Sequence, residues 1–435
     1  MDLAYLSAVV LFVLFLLLGS GVWVGLSLMG VAWAVLLLFT DAPVGDAMIT
    51  VIWSGATSWT LIALPMFIWM GEILYRTRLS EDLFKGLSPW LSRLPGGLLH
   101  TNIVGSALFA AISGSSAATL TTVGQMSIPE LRKRHYPEKM ILGTLAGSAT
   151  LGLMIPPSLT LIVYGVTINE SITQLFIAGI VPGLVLAVLF MSFVAIWGKS
   201  SGAKGIAAER QMSLRDKIRS SSFLFPIGGL VFVVIGSMYT GLATATEAAA
   251  LGVIGALALA AAQRSLSWQA FVDSLLGAVR TSAMIALILM GASFLSLAMG
   301  FTGLPYAVAE WIGTLGLTPI TLLFALTLFY VIIGMFLDGI SSVVLTMAVI
   351  EPLVRSAGID VIWFGIFIVV LVEMAQITPP IGFNLFVLQG ITNKPIAYLA
   401  RAAFPMFLIM LVMIILLIAV PDIALWLPRT MQQVD

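Results

Sequence analysis

The chain carries no charged residue between Leu3 and Thr40, where two long apolar runs are separated only by a Gly-Ser-Gly segment at 19–21. Each run is close to the roughly 20 apolar residues that a helix needs to cross a membrane. A secretory signal peptide begins with basic residues, and Asp2 is the only charge before Asp41, so we expect two retained spans rather than a cleaved leader.

The composition of the whole chain extends this argument. Apolar residues make up 60% and charged residues 9%, against about 25% charged residues in soluble domains, and cysteine is absent. The sequence therefore predicts an all-α polytopic membrane protein. It argues against a soluble enzyme, a disulfide-bonded secreted scaffold and a nucleic-acid binder, which would need a basic face.

The distribution of basic residues predicts the topology. Candidate spans lie near 3–19, 21–40, 58–75, 140–165, 175–198, 222–239, 244–262, 281–300, 362–390 and 403–420. Lys and Arg stay on the cytoplasmic side in short loops. Assigning the basic loops to that side places 18 of the 20 Lys and Arg residues inside, with Arg355 and Arg429 outside. Both termini are then expected on the periplasmic side.

Two further apolar segments begin and end on the same predicted side of the membrane. The first, about 98–130, lies between basic groups, and the second, about 319–350, lies between Glu310 and Glu351. Small polar residues interrupt the first at 113–119 and the second at 338–342, which leaves arms too short to span. We therefore expect two re-entrant helical hairpins, one entering from each side.

The hairpins belong to a longer internal repeat. The distance from Pro129 to Pro156 is 27 residues, and so is the distance from Pro352 to Pro379. Five spans separate the hairpins, so the second copy is expected to be inverted, as in many secondary transporters. The expected organisation has about 10–11 transmembrane helices. Its parts are a first inverted repeat at 1–198 with a broken helix at 140–165, a cytoplasmic linker at 199–221, and a second repeat at 222–435 with a broken helix at 362–390.

The two hairpin tips and the two Pro-Pro breaks are the candidate functional sites, because polar backbone groups in hydrocarbon must find partners. If the four breaks meet, their carbonyls and hydroxyls suit a hard monovalent cation, and helix N-termini there would face an anionic substrate. The alternative is that small residues merely allow tight helix packing. The hydroxyl-bearing candidates are Ser115, Ser116, Thr119, Ser341, Ser342 and Thr378.

Few other polar residues fall inside or near the spans. Asp338, in the second tip, is either a sodium-site residue or a helix N-cap, and Asn384 offers an oxygen to the same site or a cap. Glu373 is the better candidate for a buried contact that contributes to coupling. Glu72 lies near the cytoplasmic end of a predicted span, and Glu247 lies in a first helical turn, where a carboxylate is ordinary.

Signals for enzymatic chemistry are weak. The chain has no Walker A motif, no G-x-S-x-G elbow and no cysteine nucleophile, and its two histidines do not form a metal set. An intramembrane aspartyl protease would need two facing aspartates, and only Asp338 is plausible. We therefore expect neither an enzyme nor a cofactor, apart from Na+ as a coupling ion.

Five segments together resemble the large membrane subunit, of the DctM type, of tripartite ATP-independent periplasmic (TRAP) transporters. They are ISGSSAATLTTVGQMSIPEL with the basic loop after it, GLMIPPSLTLIVYG, FLDGISSVV and ITPPIGFNLFVLQG. The resemblance covers essentially the whole chain. It implies a sodium-driven importer of the bacterial inner membrane that works as an elevator, in which a transport domain carrying both hairpins moves against a scaffold.

The resemblance also implies site residues, transferred by position. The substrate residues are Ser115, Ser116, Thr119, Pro157, Pro380, Gly382 and Asn384. The sodium residues, which act partly through backbone carbonyls, are Gly114, Ser115, Asp338, Gly339, Ser341, Ser342 and Thr378.

The implied partners are a small four-helix membrane subunit, a periplasmic substrate-binding protein, membrane lipid and an organic acid, with no nucleic acid. The acids carried by the family include C4-dicarboxylates, sialic acids and keto acids. Two other interpretations stay open. One is a stand-alone ion-coupled carboxylate symporter that needs no binding protein, and the other is a scaffold subunit without a transport path.

Overall fold

The computed structural model describes residues 3–77, 86–202, 214–222, 224–314 and 317–432. Within these ranges the regular secondary structure is helical, and no strand is present. The predicted all-α class is therefore confirmed. Most of the expected linker (203–213) lies outside the described residues, as do Arg78 and Lys85 of the basic loops.

The helices follow one another with short connections. Those before the linker are α1 (Leu3–Gly19), α2 (Val24–Phe39), α3 (Val44–Ala56), α4 (Ala63–Tyr75), α5 (Leu99–Ser113), α6 (Ser116–Lys133), α7 (Glu138–Ala149), α8 (Leu159–Ile168) and α9 (Ile172–Trp197). Those after it are α10 (Leu214–Ser221), α11 (Phe225–Tyr239), α12 (Ala245–Ala262), α13 (Trp268–Thr302), α14 (Leu304–Thr314), α15 (Pro319–Gly334), α16 (Gly339–Ser356), α17 (Val361–Gln376), α18 (Phe383–Thr392), α19 (Ile396–Ala419) and α20 (Asp422–Gln432).

Several of these helices are long and apolar enough to cross a membrane. Six described segments qualify by length and composition, and α3 with the bent continuation Trp59–Tyr75, at 54°, makes a seventh. Other apolar helices, among them α1, α2 and α11, have 10–17 residues. The chain is thus a multi-span helical membrane protein, and the expected 10–11 spans require some of the shorter helices to cross as well.

Local capping explains several boundaries. Thr244 and Glu247 form a capping box at the start of α12, so the carboxylate of Glu247 has the helix-start role expected for it. The Asp360 side chain accepts a hydrogen bond from the Trp363 amide at 2.9 Å and begins α17. Gly303, with φ at 68°, ends α13 in the left-handed conformation that glycine adopts without a steric penalty.

Several helices differ from the sequence expectation. Helices α3, α10, α14 and α20 were not predicted, and α13 has 35 residues where a span at 281–300 was expected. On sequence grounds the stretch around 266–279 also allows a separate short span or in-plane helix, but from Trp268 onward it forms the beginning of α13. Asp273 and Arg280 lower the local hydropathy, but no proline interrupts the backbone ladder, so the helix continues through them.

Both expected hairpins and both broken helices are present as helix pairs. Helices α5 and α6 meet at a turn at 114–115, and α15 and α16 meet at 335–338. A one-turn segment, Leu151–Met154, continues α7 before the break at 155–158, and the second break lies at 377–382 between α17 and α18. The order of hairpin, broken helix and long helix therefore occurs twice along the chain.

The two halves pack into each other. The second arm of the first hairpin, α6, packs against α18 of the other half, and the second arm of the other hairpin, α16, packs against α8. Helix α17 lies in the interior, with every residue from Ile362 to Gln376 buried. A helix that is apolar on all sides belongs in a core, and the two polar side chains of this one, Glu373 and Gln376, lie one turn apart on one face.

Candidate functional site

The first hairpin turns at Gly114, which has left-handed backbone angles (φ 59°, ψ 17°) and ends α5. Ser115 then caps α6, since its Oγ accepts a hydrogen bond from the Ala118 amide at 3.4 Å. The Thr119 hydroxyl donates to the Ser115 carbonyl oxygen at 2.8 Å and lies 3.0 Å from the Ser113 hydroxyl. The hydroxyls of the first tip thus bond to one another and to the backbone of the turn.

This first tip rests on the first helix break. The Leu159 amide, at the start of α8, donates to the Gly114 carbonyl oxygen at 3.3 Å. A Cβ on Gly114 would lie 2.6 Å from the Pro157 carbonyl oxygen, and a Cβ on Gly152 would lie 2.7 Å from the Ser115 carbonyl oxygen. The structure therefore brings Gly114 and Ser115 together with Pro157.

Asp338 caps α16 in the second tip. Its Oδ2 accepts hydrogen bonds from the amides of Ile340 at 3.1 Å and Ser341 at 3.3 Å. The capping alternative is therefore present in the structure, and it uses Oδ2 rather than Oδ1. Ser341 and Ser342 are buried, and the Ser342 hydroxyl has no hydrogen-bond partner among the described residues.

The second tip rests on the second helix break. The Gly382 amide donates to the Met335 carbonyl oxygen at 3.2 Å. Gly382 has a φ of 51°, and a Cβ there would lie 2.6 Å from the Thr378 carbonyl oxygen. The Thr378 hydroxyl donates to the Met374 carbonyl oxygen at 2.8 Å and so completes the end of α17. Each tip is thus bonded to the break that follows it in the sequence.

The two breaks differ in their surroundings, although both contain a cis Pro-Pro bond. Pro156 and Pro157 are buried, whereas Pro379 and Pro380 are exposed. The substrate residues expected at the breaks are therefore divided between an enclosed environment at Pro157 and an open one at Pro380.

Gln376 connects the two tips and was not among the predicted residues. The Ser116 hydroxyl, at the start of α6, donates to Gln376 Oε1 at 3.3 Å. A Cβ on Gly339, in the second tip, would lie 2.8 Å from Gln376 Nε2. The sequence signal was an amide at the end of an otherwise apolar helix directly before the second break, where a buried polar side chain needs a partner.

Glu373 and Asn384 form a second polar contact across the second break. Both side chains are buried, with 1% and 0% of their surface exposed. The Asn384 amide donates to Glu373 Oε2 at 3.5 Å. The expectation that Glu373 makes a buried contact between helices is therefore confirmed.

A cavity of about 320 Å³ opens beside the first tip. One wall includes Glu72 of α4 and Thr281 of α13, and the other includes Ser113 and Ser115. Glu72 pairs with Arg76 at 2.9 Å, so its charge has a counter-ion. The hydroxyls and the N-terminus of α6 make this space suitable for a small anion, and its volume is at the lower end of the range for ligand pockets, about 300–1,000 Å³.

In the part of the chain that the structure describes, no group of three or more His, Cys, Asp or Glu side chains is placed to hold a metal ion. Divalent transition metals commonly use such groups. The oxygen atoms at the two tips are instead carbonyls, hydroxyls and the single carboxylate of Asp338, a set that suits a hard cation of low charge.

The comparisons with known proteins agree with this architecture. Residues 9–423 match the family model described as the DctM component of the tripartite ATP-independent periplasmic transporter. The isethionate TRAP transporter permease protein DctMQ of Oleidesulfovibrio alaskensis is 32% identical over 95% of this chain, which spans 65% of that longer protein. The sialic acid TRAP transporter large permease protein SiaM of Vibrio cholerae is 30% identical and covers 95% of this chain and 96% of its own.

A solved structure has the same fold. The crystal structure of the Alcanivorax borkumensis YdaH transporter superposes with a TM-score of 0.65 over 90% of both chains, at 15% sequence identity.

Proposed function

The chain belongs to the DctM component family of tripartite ATP-independent periplasmic (TRAP) transporters, and we propose that it is the large permease subunit of a sodium-coupled secondary importer of an organic acid. The observation that carries this proposal is the pairing of each hairpin tip with a Pro-Pro break. The Leu159 amide bonds to Gly114, and the Gly382 amide bonds to Met335. Broken helices at corresponding places in two halves are the usual binding elements of secondary transporters.

The substrate is proposed to bind beside the first tip. Helices α6 and α8 both begin there, and their N-termini favour a negatively charged group. The relatives are named for isethionate and sialic acid, both organic acids, which supports an organic anion as the class of substrate. The proposed contacts are those predicted from the sequence: Ser115, Ser116, Thr119, Pro157, Pro380, Gly382 and Asn384.

Sodium is proposed to bind at both tips, where turn carbonyls and side-chain oxygens lie next to the breaks. The proposed ligands are Gly114, Ser115, Asp338, Gly339, Ser341, Ser342 and Thr378. Support comes from the buried Ser342 hydroxyl, which lacks a hydrogen-bond partner among the described residues, and from Asp338, whose cap uses only one carboxylate oxygen.

Transport is proposed to follow an elevator mechanism. The cavity at the first tip lies between α4 and α13 on one side and the first hairpin on the other. A boundary of this kind is where a moving transport domain would slide against a scaffold. The inverted repeats at 1–198 and 222–435 belong to the same proposal, because two similar halves of opposite orientation can exchange inward and outward conformations.

The proposed setting is the bacterial inner membrane, with both termini periplasmic. A small four-helix subunit and a periplasmic binding protein would complete the system, and lipid would contact the exposed apolar helix faces. The alternative is a stand-alone ion-coupled carboxylate symporter. Uptake by proteoliposomes that contain only this chain and no binding protein would favour that alternative.

The first test is the thermal midpoint of the purified chain in sodium and in potassium at equal ionic strength. A ligand that binds only the folded state raises stability, so no substrate has to be known. We expect a higher midpoint in sodium, followed by sodium-gradient-driven uptake of an organic acid once a binding protein is supplied. Equal midpoints in the two salts at saturating concentrations would contradict the sodium sites.

A further inference from the structure

The two halves of the chain correspond residue by residue where each broken helix meets the long helix that follows it. Helix α8 is ended by Asn169, with φ at 58°, and α18 is ended by Asn393, with φ at 54°, both in the left-handed conformation. The next residue is Glu170 in the first half and Lys394 in the second. A negative charge in one half is therefore matched by a positive charge in the other.

A repeated arginine lies close to each of these positions. It follows the proline in the second arm of each hairpin by three residues, as Arg132 in α6 and as Arg355 in α16. In one copy Arg355 Nη2 lies 3.1 Å from Glu170 Oε1, so an ion pair joins the second hairpin to the connection between α8 and α9. In the other copy Arg132 and Lys394 line one pocket, and two cations cannot form such a pair.

The pocket that Arg132 and Lys394 line has a volume of about 690 Å³. Its wall contains one carboxylate, Glu138, whose Oε2 already accepts a hydrogen bond from Arg132 Nε at 3.1 Å. Lys394 has no carboxylate partner among the described residues, and its Nζ lies 5.9 Å from the centre of the Tyr398 ring. The side chains that line the pocket thus carry one net positive charge.

The start of α19, at the same pocket, lacks a side-chain cap. Helix α9, its counterpart in the first half, is capped by Ser171, whose Oγ accepts a hydrogen bond from the Gln174 amide at 3.3 Å. Pro395 is the corresponding residue before α19, and its side chain has no oxygen to offer. The first amides of a helix carry partial positive charge and favour an anion. Lysine and proline at these two positions therefore leave a charge and a helix start without a negatively charged partner within the described ranges.

We propose that Arg132, Lys394 and the first turn of α19 bind a phosphate group, which takes the place that the Glu170 carboxylate has in the first half. Arginine, lysine and helix amides are frequent phosphate ligands. The pocket lies among the basic loops predicted to be cytoplasmic, where the phosphate can come from an anionic lipid headgroup or from free phosphate. The bound group joins the first hairpin to the connection between α18 and α19. The site goes beyond the proposed function, because it requires neither sodium nor the transported acid.

The test is the thermal midpoint of the purified full-length chain in two titrations. The first adds inorganic phosphate against chloride at equal ionic strength, and the second adds phosphatidylglycerol against phosphatidylcholine in mixed micelles. We expect the midpoint to rise with at least one of the two ligands, because a ligand that binds only the folded chain stabilises it. A rise with inorganic phosphate identifies a free anion, whereas a rise with phosphatidylglycerol alone identifies a lipid headgroup.

Two variants of Lys394 test the pocket itself. Lys394→Gln removes the unpaired charge, and we expect it to bind the stabilising ligand about tenfold more weakly, or worse. Lys394→Glu restores the acidic residue of the first half and lets it pair with Arg132. Its midpoint without ligand should equal or exceed that of the wild type, and it should no longer respond to the ligand. Lys139→Gln removes an exposed lysine of the same basic loop, outside the pocket wall, and should respond as the wild type does.

The proposal fails if neither titration raises the midpoint of the wild type, or if Lys394→Gln responds as the wild type does. It also fails if Lys139→Gln loses the response to the same extent as Lys394→Gln, because the attraction would then belong to the basic loop as a whole and not to the pocket. Sodium-driven uptake tests the proposed function separately, so the failure of one leaves the other standing.

Discussion

The hydroxyl of Ser116 donates a hydrogen bond to Oε1 of Gln376, and this contact joins residues that lie 260 positions apart. Ser116 begins the second arm of the first hairpin, and Gln376 ends the helix before the second break. Gln376 also lies against Gly339 of the second tip. One amide side chain is therefore shared by both hairpins, which gives the two halves a direct polar connection.

This connection predicts energetic coupling between Ser116 and Gln376. We expect Ser116→Ala and Gln376→Ala each to lower the thermal midpoint, and the double variant to lose less than the two single losses added together, with a coupling of about 0.5–3 kcal/mol. The measurement is a double-mutant cycle on thermal stability. Ser116→Ala with Ser113→Ala, a pair with no hydrogen bond between its side chains in the structure, serves as the control. Additive losses for Ser116 and Gln376 would mean that the contact does not connect the hairpins.

Asp338 allows capping and sodium binding to be separated. Asn is as good an N-cap as Asp, so Asp338→Asn should keep the sodium-free midpoint close to that of the wild type while reducing the stabilisation by sodium. Asp338→Ala loses the cap as well and should cost about 1 kcal/mol in either salt. Thermal midpoints of both variants in sodium and potassium test this. A normal sodium response in Asp338→Asn would leave Asp338 with a capping role only.

The close approach at Gly114 predicts that no side chain is tolerated there. Gly114→Ala would carry the left-handed backbone penalty of about 1–2 kcal/mol and would also place a Cβ 2.6 Å from the Pro157 carbonyl oxygen. Gly358 also has a positive φ, 71°, but open space around it, so Gly358→Ala pays only the backbone penalty. We expect uptake to fall at least tenfold in Gly114→Ala and to stay near wild type in Gly358→Ala. Equal uptake in the two variants would mean that the close approach of Gly114 to Pro157 is not needed for transport.

The cavity beside the first tip can be filled from α13. Thr281→Trp should occupy part of the 320 Å³ space and reduce organic-acid uptake at least tenfold with little effect on the thermal midpoint. Met284→Trp, on an exposed position of the same helix, is the matched control. If both variants transport equally well, the substrate does not use this cavity.

Arg355 offers a prediction of a small effect. It pairs with Glu351 and with Glu170, and about half of its side chain is exposed. Exposed ion pairs contribute roughly 0–1 kcal/mol and are screened by salt. We therefore expect Arg355→Gln to lower the free energy of unfolding by less than about 1 kcal/mol, and the difference to shrink in high salt. A large loss that persists in high salt would show that this cluster has a larger structural role.

The hairpins and the broken helices were predictable because their signals are local. Half-length apolar arms around Gly114 and Asp338, and Pro-Pro pairs after them, limit where a helix can continue, and the structure has breaks at those places. The contact between Gly114 and Pro157 follows from the same logic, since two turns that both expose polar backbone in hydrocarbon stabilise each other by hydrogen bonding.

The central role of Gln376 was not predictable in the same way. Its partners, Ser116 and Gly339, lie in different hairpins. No local sequence pattern indicates which buried amide side chain will contact which hairpin turn. Helix α3 was missed for a different reason, because a short amphipathic segment with no buried residue has a weak hydropathy signal. The length of α13 was missed because Asp273 and Arg280 resemble the end of a span, although charges do not end a helix.

The continuity of α13 has a mechanical consequence. Its 35 residues form a rod of about 50 Å, whereas the hydrocarbon core of a bilayer is about 30 Å thick. The Trp69 indole donates a hydrogen bond to the Ser274 hydroxyl at 3.2 Å. Helix α4 is therefore bonded to the N-terminal part of α13, which carries Asp273 and Arg280. A straight helix longer than the hydrocarbon core can adapt to a thinner bilayer by tilting. Since Thr281 lies on the same helix, a change in the tilt of α13 would move one wall of the cavity.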